Sequence, residues 1–89
     1  MAWTIEIEDH ALRQLRKLGG AQAARIIDFL RERIAVLDDP RSAGQALRGS
    51  ALGEFWRYRV GDYRLVCRIE DARLVVLVVA LGHRREVYR

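Results

Sequence analysis

The chain has 89 residues and a mass of 10.3 kDa, with 51% hydrophobic and 31% charged residues; this suits one folded domain, residues 1–89, and excludes two separate cores or a disordered chain. A lone cysteine, Cys67, excludes an internal disulfide, and no Cys/His group has the spacing of a metal site. The net charge of +4 is uneven: residues 1–40 carry six Lys+Arg against seven Asp+Glu, giving −1, whereas residues 41–89 carry ten against five, giving +5.

Trp3-Thr4-Ile5-Glu6-Ile7 alternates with period two and predicts a strand with Trp3, Ile5 and Ile7 on one face. Asp9 offers an N-cap for a helix carrying Ala11, Leu12, Leu15 and Leu18, which Gly19-Gly20 stops. A second helix follows from about Ala21, with Ala23, Ile26, Ile27, Leu30, Ile34 and Leu37 as its apolar stripe, and Asp38-Asp39-Pro40 ends it. The short Gly19-Gly20 connection predicts an antiparallel helical hairpin. Residues Arg41 to Gly53 read as a surface loop.

Three strands come next: Phe55 to Val60, Tyr63 to Glu70 and Arg73 to Leu81, with turns at Gly61-Asp62 and Asp71-Ala72 and an end at Gly82. The last is apolar on both faces, which predicts an interior strand. The fold class is therefore α+β, in the order β-α-α-β-β-β, with a mainly antiparallel sheet and the helical hairpin on one face. No apolar run approaches the roughly 20 residues of a membrane-spanning helix, and the N-terminus does not read as a signal peptide, so the expected location is cytoplasmic.

Function belongs to the uncovered face. Alternation sets Arg57 and Arg59 opposite to Trp56, Tyr58 and Val60. On the next strand, Leu65, Cys67 and Ile69 point to the core and Arg64 and Arg68 point outward. Arginine keeps its proton at neutral pH, so clustered arginines bind anions and stabilise developing negative charge; they do not serve as bases. A phosphodiester is the matching ligand, and arginine's planar fork suits it. RNA cleavage by its own 2′-OH further needs help in removing a proton and a donor for the leaving 5′ oxygen. The tail offers Arg84 and Tyr88, the latter as a base if neighbouring positive charge lowers its phenol, with His83 as the rival acid or base.

Leu47-Arg48-Gly49, the stretch Trp56-Arg57-Tyr58-Arg59-Val60-Gly61-Asp62-Tyr63-Arg64-Leu65-Val66 and the ending Gly82-His83-Arg84-Arg85-Glu86-Val87-Tyr88 together resemble the RelE branch of the RelE/ParE toxin superfamily. The resemblance covers nearly the whole chain, although the Gly61-Asp62 turn is tighter than in the best-known members. It implies a toxin of a type II toxin–antitoxin pair that cleaves mRNA codons in the ribosomal A site, leaving a 2′,3′-cyclic phosphate, with no cofactor and no metal. By position it implies that Arg57 and Arg59 bind and orient the mRNA phosphate and that Arg64 stabilises the transition state. Arg84 would stabilise charge and protonate the leaving group, and Tyr88 would activate the 2′-OH.

The implied partners are the ribosome, mRNA and a cognate antitoxin, expected to be acidic and to fold on binding. Two alternatives stand beside this expectation. One is a ParE-like toxin that poisons gyrase without RNase activity; the other is a non-catalytic nucleic-acid-binding or corepressor module, in which the arginines supply charge alone.

Overall fold

The computed structural model describes residues 2–47 and 55–83. Strand β1 (Thr4–Ile7) leads to helix α1 (Asp9–Arg16) and helix α2 (Gly20–Phe29), and then come β2 (Gln45–Ala46), β3 (Phe55–Val60), β4 (Tyr63–Glu70) and β5 (Val75–His83). They build a five-stranded sheet in the order β1-β5-β4-β3-β2. Only the β1–β5 pair is parallel; the others are antiparallel. The expected α+β architecture holds, with β5 inside the sheet as its two-sided apolar pattern predicts. β2, which caps the sheet edge, lies in a segment read as loop: its two residues pair with Trp56 and Arg57 of β3, and so short a stretch leaves no periodic signal.

Helix α1 begins one residue earlier than an Asp9 N-cap would have it, because Glu8 takes the extended cap conformation and Asp9 is the first helical residue. Neither residue's side chain caps the helix; the Asp9 carboxylate acts instead on the helix dipole, with Arg13 and Arg16 at the opposite end. Gly19 has φ +87°, a left-handed conformation that glycine adopts without strain, and it redirects the chain into α2. That helix does not run unbroken toward Leu37. From Leu30 to Ile34 it widens into a π turn closed by the Ala35 N–H donating to the Leu30 carbonyl, and Leu30 and Ile34 both remain in the core. The Ala35 carbonyl accepts from the Trp3 N–H, which ties the end of this segment to the strand before it.

The core lies between the helices and one face of the sheet. Ala11, Leu15, Ile26 and Leu30 meet Tyr58, Leu65, Cys67, Val76 and Leu81 there, all nearly or fully inaccessible. Trp3, Ile5 and Ile7 share this side, as their alternation predicts. Near the middle of β5 the register slips: Val66 pairs with Ala80 but Cys67 pairs with Val78, leaving Val79 as an extra residue. This bulge lets Val78 and Leu81, three positions apart, both reach the core, which strict alternation forbids. β5 continues through Gly82 to His83, past its expected end, because β4 supplies partners in Arg64 and Tyr63.

Three aromatic side chains fasten the connection from α2 to β2. The Trp3 indole donates to the Asp38 carbonyl at 3.1 Å, the Tyr58 hydroxyl to the Pro40 carbonyl at 2.7 Å and the Trp56 indole to the Ala43 carbonyl at 2.6 Å. The Asp39 carboxylate accepts the Arg41 N–H and forms a tight turn around buried Pro40. Each donor carries its polar tip to the core boundary, where a backbone carbonyl satisfies it.

Candidate nucleic-acid interface

The β3–β4 hairpin is closed by the expected two-residue turn, Gly61-Asp62, with Gly61 at φ +59°. Its register sets Arg59 directly opposite Arg64 and Arg57 opposite Val66, on the face away from the helices. On the other side of Arg64 lies Gly82, which presents no side chain. Arg64 is 8% exposed, whereas Arg59 is open to solvent. Like charges facing each other across a strand pair oppose folding. Two guanidiniums side by side on one face can both donate to a single phosphate, so the Arg59–Arg64 pair is a natural seat for one.

Arg57 is held by a neutral partner: its guanidinium donates to the side-chain oxygen of Gln45 on β2. The amide fixes the arginine's direction without cancelling its charge. Sequence reasoning missed Gln45, since only the pairing of β2 with β3 shows that it faces Arg57. Arg68 continues the row, its guanidinium 5.4 Å from the centre of the Phe55 ring.

Other arginines are neutralised. Arg41 makes a two-pronged bridge to Asp71 at 2.9 and 2.8 Å. That hydrogen-bonded contact holds the Asp71 carboxyl below its ordinary range and raises the guanidinium of Arg41. Arg73 bonds Glu70 at 3.0 Å and Glu6 at 3.1 Å. Two of the ten arginines in the second half are thus paired with acidic neighbours, whereas Arg57 and Arg59 make no ion pair among the described residues.

The structure does not bring His83 to this face. Pleating turns it to the helix side, where its ring meets Tyr63 edge to face at 6.1 Å and borders a cleft of about 450 Å³ beside Gln14 and Lys17. Arg84 and Tyr88, and Arg48 and Gly49 of the earlier loop, lie outside the described residues. Tyr58 is structural: burial raises its phenol well above the ordinary value, and its hydroxyl is used on Pro40. Burial likewise raises the Cys67 thiol, which keeps it protonated and unreactive.

Comparison with known proteins bears on this arrangement. The family model described as the ParE toxin of type II toxin–antitoxin systems matches residues 5–88. The chain is 33% identical to the mRNA interferase toxin RelE of Escherichia coli, spanning 99% of this chain and 92% of that protein. It is 32% identical to Toxin RelG of Mycobacterium tuberculosis, spanning 100% of this chain and 99% of the relative. Among solved structures, the toxin–antitoxin complex RelBE2 of Mycobacterium tuberculosis is similar with a TM-score of 0.84 and 28% identity, over 97% of this chain and 95% of the other. With its fold and its sequence in agreement, the chain belongs to the RelE/ParE superfamily of type II toxins, within the RelE branch.

Proposed function

We propose that this protein is the toxin of a type II toxin–antitoxin pair, an endoribonuclease that cuts mRNA on the ribosome and so stops translation. The observation that carries this reading is the Arg59–Arg64 apposition on the sheet face away from the helices, with Arg57 beside it on a neutral tether. The names of the relatives, an mRNA interferase and a toxin, support it.

In the proposed reaction the ribose 2′-oxygen attacks the adjacent phosphorus while the bond from phosphorus to the 5′-oxygen breaks. The products are a 2′,3′-cyclic phosphate and a 5′-hydroxyl. Arg57 and Arg59 hold and orient the phosphate. Arg64, fixed by its burial between β3 and β5, faces the charge that accumulates on the nonbridging oxygens, and a preplaced cation stabilises that charge without reorganising. Arg84 and Tyr88 are assigned by the resemblance: Tyr88, as phenolate, accepts the proton from the 2′-OH, Arg84 stabilises charge and supplies a proton to the leaving 5′-oxygen, and exchange with water at once returns a proton to Arg84 and removes one from Tyr88. The placement of His83 on the helix side favours Tyr88 over it as the proton acceptor.

The proposed partners are the ribosome, its mRNA and a cognate antitoxin, and the proposed site of action is the cytoplasm. A RelE-type toxin has been solved in complex with its antitoxin, which supports the third. Among the described residues no helix is long and apolar enough to cross a membrane. The test is to induce the protein in cells and map mRNA 5′ ends, with Arg84→Ala and Tyr88→Phe beside the wild type. Codon-phased cuts that disappear in both variants support the reading. Growth arrest with intact mRNA and damaged chromosomes would instead place the toxin among those that act on DNA topology.

A further inference from the structure

A second arginine group lies around the edge of the sheet from the Arg59–Arg64 seat. Arg25 on α2 and Arg33 in the π turn border a cleft of about 340 Å³ together with Arg59, Gly61 and Glu32. All three arginines are exposed, and none of them makes an ion pair among the described residues. Their positive charge exceeds that of the one carboxylate in the lining, Glu32. This sets them apart from Arg41 and Arg73, which acidic neighbours neutralise.

Two features of the backbone build the cleft. In a regular α-helix, residues eight positions apart drift by about 80° around the axis. The wider turn from Leu30 to Ile34 takes up part of that drift, so Arg33 comes to the same side as Arg25. At the hairpin turn, the absence of a side chain on Gly61 lets the Arg25 guanidinium lie close: a Cβ there would sit 3.1 Å from its nearest nitrogen. Arg25 is thus seated against a rigid turn, which reduces the rotamer freedom it would lose on binding a ligand.

We propose that Arg25, Arg33 and Arg59 form a second phosphate-binding cleft, which takes an RNA backbone phosphate other than the scissile one. Arg59 belongs to both groups, so a strand leaving the Arg59–Arg64 seat meets this cleft at the sheet edge. The inference rests on the proposed nuclease reading, since it takes RNA as the polyanion. The phosphate's source is either the mRNA strand or ribosomal RNA; the chemistry of recognition is the same.

The test compares wild type with Arg25→Gln/Arg33→Gln and with Arg25→Lys/Arg33→Lys. The probes are a labelled single-stranded RNA with 2′-O-methyl riboses, which resists cleavage, and purified ribosomes lacking mRNA. If the cleft takes the mRNA strand, the glutamine variant lowers the slope of log K against log salt for the oligonucleotide by about 1.4, two lost contacts at about 0.7 each. If it takes ribosomal RNA, the oligonucleotide slope is unchanged and affinity for ribosomes falls about tenfold or more. The lysine variant restores most of either loss, and Glu32→Gln tightens whichever contact is made. Unchanged binding to both probes overturns the proposal. Failure of the nuclease reading shows elsewhere, as uncut mRNA with wild-type protein on programmed ribosomes, so the two outcomes are separable. Both substitutions sit at exposed helical positions, and a thermal melt verifies that the glutamine variant remains folded.

Discussion

The hydroxyl of Tyr58, in the middle of β3, donates to the carbonyl of Pro40 across eighteen positions of sequence, at 2.7 Å and within the core. Tyr58 is 1% exposed and its ring meets Phe29 of α2 edge to face. The strand that carries Arg57 and Arg59 on its outer side is therefore anchored on its inner side to the segment leading into β2. Fold and site are mechanically linked at this residue.

Removing only that hydroxyl tests the link. Tyr58→Phe leaves the ring packing intact but orphans the Pro40 carbonyl, at a cost of about 1–3 kcal/mol. Urea unfolding followed by fluorescence should show a lower midpoint with an unchanged slope. Since the phenol is buried and neutral in the working range, the loss is the same from about pH 6 to about pH 9.

The Arg41–Asp71 bridge predicts an acid-side dependence. The Asp71 carboxyl is lowered in the folded state from its reference of 3.8, so folding is favoured while it is ionised. Its contribution is fully present above the unfolded value and disappears as pH falls through the folded one. Arg41 is raised, so its own share is lost only far into alkali. Melting curves of wild type and Asp71→Asn should therefore differ near neutrality and converge as pH falls through the folded value, which lies below 3.8. The exposed setting makes the difference small, and added salt reduces it further.

Much of the fold was legible from sequence because each element carried its own signal. β3, the Gly61-Asp62 turn and β4 have the expected bounds, since period-two alternation and a glycine turn are local properties. The features without a local signal depend on pairing at a distance. β2 is two residues long and exists through its bonds to Trp56 and Arg57; the Val79 bulge exists because β4 and β5 slip past each other; the wide turn at Leu30–Ile34 has no distinct composition. The site divides in the same way. Arg57, Arg59 and Arg64 were readable from pleat alone, whereas Gln45 and the Arg25–Arg33 cleft required elements remote in sequence to come together. His83 lies off the site because β5 runs on two positions beyond its expected end, which turns the ring to the helix side.

Substitution of Arg57 or Arg59 separates charge from geometry. Each change to glutamine should lower the salt slope for single-stranded RNA by about 0.7, measured by fluorescence anisotropy. Arg59→Lys keeps most of this slope. Arg57→Lys should lose more activity than Arg59→Lys, because the Gln45 amide orients a planar guanidinium at position 57. Gln45→Ala should give the same loss as Arg57→Lys, and the double variant should add little to either.

Arg64 carries the central claim, and single-turnover cleavage of mRNA on programmed ribosomes tests it most directly. The account predicts that Arg64→Ala slows the chemical step about 100- to 1,000-fold while ribosome binding is largely kept, as removal of one preplaced group at a developing charge does. It also predicts wild-type products with a 2′,3′-cyclic phosphate on one fragment and a 5′-hydroxyl on the other. An Arg64→Ala protein that remains folded and cuts at the wild-type rate would contradict the account, as would wild-type fragments ending in a 5′-phosphate.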